Sequence, residues 1–246
     1  MEPAVSSEVL KALAPTGRVR AAINFGNPVL AQRDPATGEA RGVSVDIARE
    51  LGNRLGVGVD LVTFDAAGRV FAALADGAWD VAFLAIDPKR ATEIDFTAPY
   101  VIIEGTYMVP AGSPLQCVDD VDRPGVRIAA GSGSAYELHL ARTLRHGELV
   151  RAPTGPEAIE MFLRDGLEAA AGVKSPLLAF ARGRTDVRVM DGRFMAIEQA
   201  MGTPKGRAAG AAYLRGMIEA LKASGFVAAG LARSGQHDAV VAPAVR

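Results

Sequence analysis

Val19, Ala21, Ile23 and Phe25 alternate with more polar neighbours, a period-two pattern that predicts a strand ending at the turn Gly26-Asn27-Pro28. A second turn covers Asp34 to Gly38. Ser44 then stands where it can cap a helix whose Ile47, Leu51 and Leu55 recur every four residues, with Gly56 just past its end. Val57, Val59 and Leu61 open another strand, and Asp65 to Gly77 reads as a short helix. Val81 to Ile86 is a continuous apolar run of strand length, which suits a parallel strand buried on both faces; periodicity alone leaves a buried helix open.

The alternation restarts after Pro124. Val126 to Ala130 reads as a strand, and Ser134 with Glu137 forms a capping box for a helix that Gly147 stops. Thr154 with Glu157 is a second such box, for a helix running to Gly166. Leu167 to Val173 and Val187 to Met190 read as strands, and between them Ser175 and Pro176 read as an N-cap and first helical residue. A last helical region spans roughly 206–232. Strands alternating with helices predict an α/β fold with mostly parallel sheets. Val101 to Val109 and Phe194 to Met201 read as two crossings between lobes, which makes the first lobe discontinuous. The expected division is 1–108 with 200–246 in one lobe and 109–199 in the other, with a ligand cleft between them.

Composition narrows the function classes. The 246 residues carry 27 Lys plus Arg against 28 Asp plus Glu, for a net charge of −1, so the basic excess of a phosphate-contacting nucleic-acid binder is absent. The longest apolar runs, such as Phe226 to Ala232, fall far short of the roughly 20 residues that span a bilayer. Cys117 is the only cysteine, which excludes an intramolecular disulfide and a cysteine zinc site; it reads as a passive residue. His139, His146 and His237 lack carboxylate or cysteine neighbours at metal spacing, so no metal and no cofactor is expected. The first eight residues have neither a basic nor an apolar leader region. Either a secretory signal was removed, or the protein stays in the cytoplasm.

No nucleophile elbow, phosphate-binding loop or zinc-protease motif occurs, and Gly131-Ser132-Gly133 fails the dinucleotide pattern because its sixth position is Tyr136. Catalytic residues are therefore not expected. Gly131 to Ser134 is a glycine-rich strand-to-helix turn, where backbone N–H groups and the helix dipole favour an anion. Ser134 serves as a cap; Ser132 is not needed for it, and a binding role and a plain turn both stay open. Asp87 reads as an N-cap with Pro88 first in its helix, so Arg90 falls in the first turn, where a cation opposes the dipole. A surface arginine tolerates that; alternatively, Arg90 turns into a cleft and clamps a carboxylate bidentately.

Ile86 to Arg90 followed by Asp95-Phe96-Thr97-Ala98-Pro99-Tyr100 resembles the arginine element and the D-F-[ST]-x-P-Y element of ABC-importer solute-binding proteins of the polar amino acid class. Gly42 with Asp46, Asp76 to Asp80, Gly131 to Ser134 and Ser175-Pro176 follow in the family's order, so the resemblance covers about Gly17 to Arg233. It implies a two-lobed periplasmic-binding-protein-like fold of type II, a periplasmic location, ABC permease partners and closure by a hinge. It also implies that Arg90 holds the ligand carboxylate with help from Ser132 and Gly133, and that Phe25 lines the pocket near Asn24 and Asn27. Asp46 and Asp95 match positions that are structural.

Two departures bear on the ligand. The family places a Thr five residues before the arginine, where this chain has Ala85, in a segment about two residues shorter. The acidic residue that takes the ligand's α-ammonium is replaced by Lys174. The expectation is a small anionic metabolite without a free α-ammonium group: a keto, hydroxy or dicarboxylic acid. Two other classes stand beside it. One is an enzyme resembling cyclohexadienyl dehydratases, with Glu104, Asp87 and Lys174 as its candidate groups; the other is a soluble sensor domain.

Overall fold

A computed structural model describes residues 5–236 and 239–245; His237 lies outside the described residues. The chain forms two compact units, one built from residues 1–102 and 198–246 and the other from 103–197.

The first unit opens with helix α1 (Ser7–Leu13), capped by the Ser6 hydroxyl on the Val9 N–H. Strand β1 (Arg18–Asn24) follows, then a short hairpin of β2 (Gln32–Arg33) and β3 (Ala40–Arg41), helix α2 (Val43–Leu55), and strand β4 (Gly58–Phe64). Helix α3 (Ala67–Ala72) is shorter than the predicted 65–77. Strand β5 (Val81–Ala85) is buried at every position, as its apolar run requires. Strand β1 pairs in parallel with β4, from Arg18 opposite Gly58 to Asn24 opposite Phe64, and with β5 through Ala21 and Ala22. The carboxyl ends of all three strands therefore lie side by side.

Ser44 does not cap α2. The N-cap position is Gly42, and Ser44 is the buried second residue of the helix, its hydroxyl 3.0 Å from the Tyr100 hydroxyl. The helix expected after Asp87 is also absent: the chain makes a single 3-10 turn over Arg90–Thr92, with the Asp87 carboxylate accepting the Lys89 N–H. One face of the sheet is sealed by Ala22, Val70, Trp79, Ala82, Leu84 and Ile94. Each large side chain buried there contributes about 1.5–3 kcal/mol.

Strand β6 (Ile94–Pro110) runs from the first unit into the second. There the order is β7 (Arg127–Gly131), α4 (Ala135–Thr143), β8 (Glu148–Ala152), α5 (Gly155–Arg164), β9 (Ala169–Val173), α6 (Lys174–Ala181) and β10 (Val187–Val189). Strand β7 pairs in parallel with β8 and β9, while β6 pairs antiparallel with β9 and β10. The core consists of Met108, Ala129, Ala158, Phe162, Ala170, Leu177 and their neighbours. Helix α4 ends four residues before Gly147, and α6 starts at Lys174 with Val173 as its N-cap, so Ser175 is not the cap.

Strand β11 (Met195–Pro204) returns the chain to the first unit, where Gln199 to Gly202 pair antiparallel with β5. Helices α7 (Ala208–Ala223) and α8 (Phe226–Arg233) complete that unit, with β12 (Val240–Val241) antiparallel to residues 101–102 of β6. The expected helical region thus divides in two, with Gly225 as the N-cap of α8.

Candidate functional site

In the first unit the candidates gather at the carboxyl ends of β4, β1 and β5, the edge where open α/β sheets bind ligands. Phe25 continues the ladder beyond β1 by donating its N–H to the Phe64 carbonyl at 2.8 Å. The next residue must be glycine, because a Cβ on Gly26 would stand 2.4 Å from the Asp65 carbonyl oxygen. That close approach brings the loop after β1 against the loop after β4. Asn24 closes the turn, its side-chain oxygen accepting the Gly26 N–H at 2.9 Å. Asn27 is 9% exposed, and its Oδ1 has no hydrogen-bond partner among the described residues. Its main-chain carbonyl accepts the N–H groups of Leu30 and Ala31.

Arg90 is 1% exposed, so the surface reading of this residue does not apply. Its Nη1 donates to the carbonyl of Ala85 at 2.9 Å, which ties the guanidinium to the last residue of β5. Ala85 thus contributes a main-chain oxygen, and its methyl adds no polar group. Desolvation pulls the Arg90 pKa down to about 10 against the opposing pull of Asp87, so the buried guanidinium stays charged at neutral pH.

A depression of about 320 Å³ opens beside this edge, lined by Phe25, Arg33, Thr63, Phe64, Asp65 and Arg69. The Arg33 guanidinium carbon lies 4.3 Å from the centroid of the Phe25 ring. Asp65 and Arg69 form an ion pair at 2.7 Å. Neither arginine was visible as a site residue in the sequence, because the hairpin that carries Arg33 is only two residues per strand.

In the second unit the turn after β7 proves largely self-satisfied. The Ser132 N–H donates to the Ala152 carbonyl at 2.8 Å, and the Ser134 hydroxyl caps α4 on the Glu137 N–H at 3.1 Å. Gly133, with φ +68, turns its N–H onto the carboxylate of Glu137 at 3.0 Å. Glu137 is 4% exposed, and its other oxygen accepts from Arg151 at 2.8 Å. The chain therefore supplies its own anion to the Gly133 N–H, which the sequence left open to a ligand. The Ser132 hydroxyl makes no hydrogen bond among the described residues.

Lys174, the first residue of α6, forms an ion pair with Glu104 at 3.1 Å, and the second oxygen of Glu104 accepts from Arg193 at 3.2 Å. One carboxylate thus offsets two cations and leaves the cluster with one positive charge. Beside it Phe194 stacks on Tyr107, with ring centroids 4.5 Å apart. Burial raises the Tyr107 phenol above its ordinary pKa. Cys117 is exposed and precedes a 3-10 turn over Val118–Asp120. Among the described residues no three metal-ligating side chains converge, and no helix is long and apolar enough to cross a membrane.

Solved structures share this fold at low identity. A solute receptor for L-cysteine from Neisseria gonorrhoeae is 21% identical, with a TM-score of 0.79 and 92% of each chain covered. An amino acid ABC transporter substrate-binding protein from Streptococcus pneumoniae bound to L-arginine is 20% identical, with a TM-score of 0.78 over 91% of this chain and 97% of that one. An ancestral amino acid-binding protein described as a precursor of cyclohexadienyl dehydratase is 19% identical, with a TM-score of 0.76 over 91% and 97%. No curated protein matches the sequence. Residues 20–234 match the profile of the bacterial extracellular solute-binding proteins, family 3, and the chain belongs to that family.

Proposed function

We propose that the protein captures a small carboxylate-bearing solute, an organic acid or an amino-acid-like molecule, and delivers it to an ABC-type permease from the periplasm. The observation that carries this reading is Arg90: a charged guanidinium, 1% exposed, held at the carboxyl end of β5. Desolvation outweighs Asp87 there, so an arriving carboxylate gains a strong charge-assisted partner and relieves the cost of burying the cation. Within the second unit, taken by itself, the Ser132 hydroxyl and the net positive Glu104–Lys174–Arg193 cluster are features that also favour an anion. The same cluster supports an anion over a zwitterion, since Glu104, the one acid in it, is already shared between two cations. It also speaks against catalysis, because a general acid must hold a proton and Glu104 is occupied as an acceptor at both oxygens.

A thermal-shift panel of keto, hydroxy and dicarboxylic acids against the standard L-amino acids tests this. A bound ligand at about 100 times its Kd adds about 2.7 kcal/mol of stability. For a chain of this size that is a rise of roughly 5–11 °C. The acids are expected to give that rise, and Arg90→Ala to abolish it while leaving the fold intact. A shift with L-amino acids alone would refute the anion preference, and an Arg90→Ala variant that binds like the parent would refute the Arg90 assignment.

A further inference from the structure

We propose that Arg33 is a specificity-determining residue that takes the second carboxylate of a dicarboxylate solute, in the depression walled by Phe25, Phe64 and the Asp65–Arg69 pair. The inference rests on the reading that Arg90 holds the first carboxylate, and it narrows the solute class.

Four observations support it. The depression measures about 320 Å³, within the range of small-molecule sites. Arg33 is positioned before any ligand arrives: its guanidinium lies over the Phe25 ring at 4.3 Å, and its backbone is pinned in the hairpin opposite Ala40. Contact with an aromatic face leaves the N–H edge of a guanidinium open, and the Arg33 side chain forms no hydrogen bond or ion pair among the described residues. The other charges around the depression cancel. Asp65 is neutralised by Arg69 at 2.7 Å, and the neighbouring Asp34 accepts the N–H groups of Ala36 and Thr37. The lining therefore carries one uncompensated positive charge on a planar fork, the geometry that recognises a carboxylate bidentately.

Placement supplies the length. Phe25 follows β1, and Arg90 follows β5, which pairs directly with β1. Adjacent strands lie about 4.8 Å apart, so the depression beside Phe25, which Arg33 reaches from the hairpin after β1, lies about one strand over from the end of β5, a separation that suits the two carboxylates of a four- or five-carbon diacid.

Isothermal titration of the full chain with matched pairs tests the assignment: succinate against butyrate, glutarate against valerate, and 2-oxoglutarate against 2-oxovalerate. Each diacid is expected to bind at least about tenfold more tightly than its monoacid, a difference of about 1.4 kcal/mol. Arg33→Gln should bring that ratio close to one while leaving the monoacid Kd within about twofold, and Arg33→Lys should keep a reduced preference because it keeps the charge and loses the fork. A ratio that survives in Arg33→Gln, or equal binding of both members of each pair by the parent, overturns the Arg33 assignment alone. Absence of binding for every acid by the parent overturns the carboxylate reading and this one together.

Discussion

Asp80 and Arg90 are both fully buried charges in the first unit, and the fold treats them oppositely. Burial raises the pKa of the Asp80 carboxyl, but hydrogen bonds from Arg20 and Arg207 outweigh it, and the net shift is downward. Asp80 accepts from the N–H, Nε and Nη2 of Arg20 and from Nη1 of Arg207, joining β1, β5 and the start of α7. Its main-chain oxygen also accepts from the Thr203 hydroxyl. For Arg90 the balance tips the other way, toward desolvation. The first charge is spent on architecture, and the second is the one we propose meets a ligand. Asp80→Ala should therefore destabilise the protein by about 3 kcal/mol, the lower end of what breaking a buried pair costs, because Arg20 and Arg207 retain some access to water. Chemical denaturation measures this; a loss under about 1 kcal/mol would show that the arginines find other partners.

At the scale of the element, the turn from β7 into α4 places a capping serine and one with no capping role within three residues. Ser134 holds the Glu137 N–H, so Ser134→Ala should cost about 1 kcal/mol of stability. Ser132 leaves its hydroxyl open, so Ser132→Ala should leave the melting temperature within about 2 °C and weaken binding of the preferred acid. If Ser132→Ala lowers stability as much as Ser134→Ala, the two serines share one structural role. The cap here was legible in the sequence, because Ser-x-x-Glu before an apolar run has a single local meaning. What the glutamate carboxylate does was not: it reaches back to Gly133 and across to Arg151 on β8, a contact set by tertiary packing. Strands β1 and β5 and helix α2 declared themselves through period and apolar runs. Strand β8 did not, since Glu148 to Ala152 shows no alternation of buried and exposed positions. Arg33 was equally hidden, because stacking on Phe25 depends on a hairpin too short to leave a pattern. Lys174 stands in the sequence where the family has an acid, and of the two acids that could offset it, Glu104, seventy positions earlier, is the one that pairs with it.

Across the whole molecule, carboxylates held below their ordinary pKa set the response to acid. Asp80 is one; Asp122 is another, lowered by the backbone N–H groups of Gly147, His146 and Arg145 that it gathers in the turn before β8. Exposed pairs such as Asp60 with Arg18 and Asp186 with Arg184 are lowered by their arginine hydrogen bonds as well. A carboxyl depressed in the folded state binds protons more readily when unfolded. Its contribution is present above the unfolded pKa of about 3.9 and is lost as pH falls through the folded value. Stability should thus be nearly flat from neutral pH down to about pH 5 and fall steeply below about pH 4. The exposed pairs are screened, with a Debye length of about 10 Å at 0.1 M salt and about 3 Å at 1 M. Asp80 is wholly buried and Asp122 is bonded to main-chain groups, so 1 M salt should leave most of the acid slope in place. The variants Asp80→Asn and Asp122→Asn should each reduce that slope, and a fall in stability that salt abolishes would instead assign acid sensitivity to the exposed pairs. Arg90, its pKa lowered to about 10, does not titrate in this window. Binding of an organic acid should then weaken only where the ligand's own carboxylates protonate, and titrations between about pH 6.5 and pH 8, above the range in which diacid carboxyls protonate, should return one Kd; a tenfold change across that range would place a titrating group of the protein in the site.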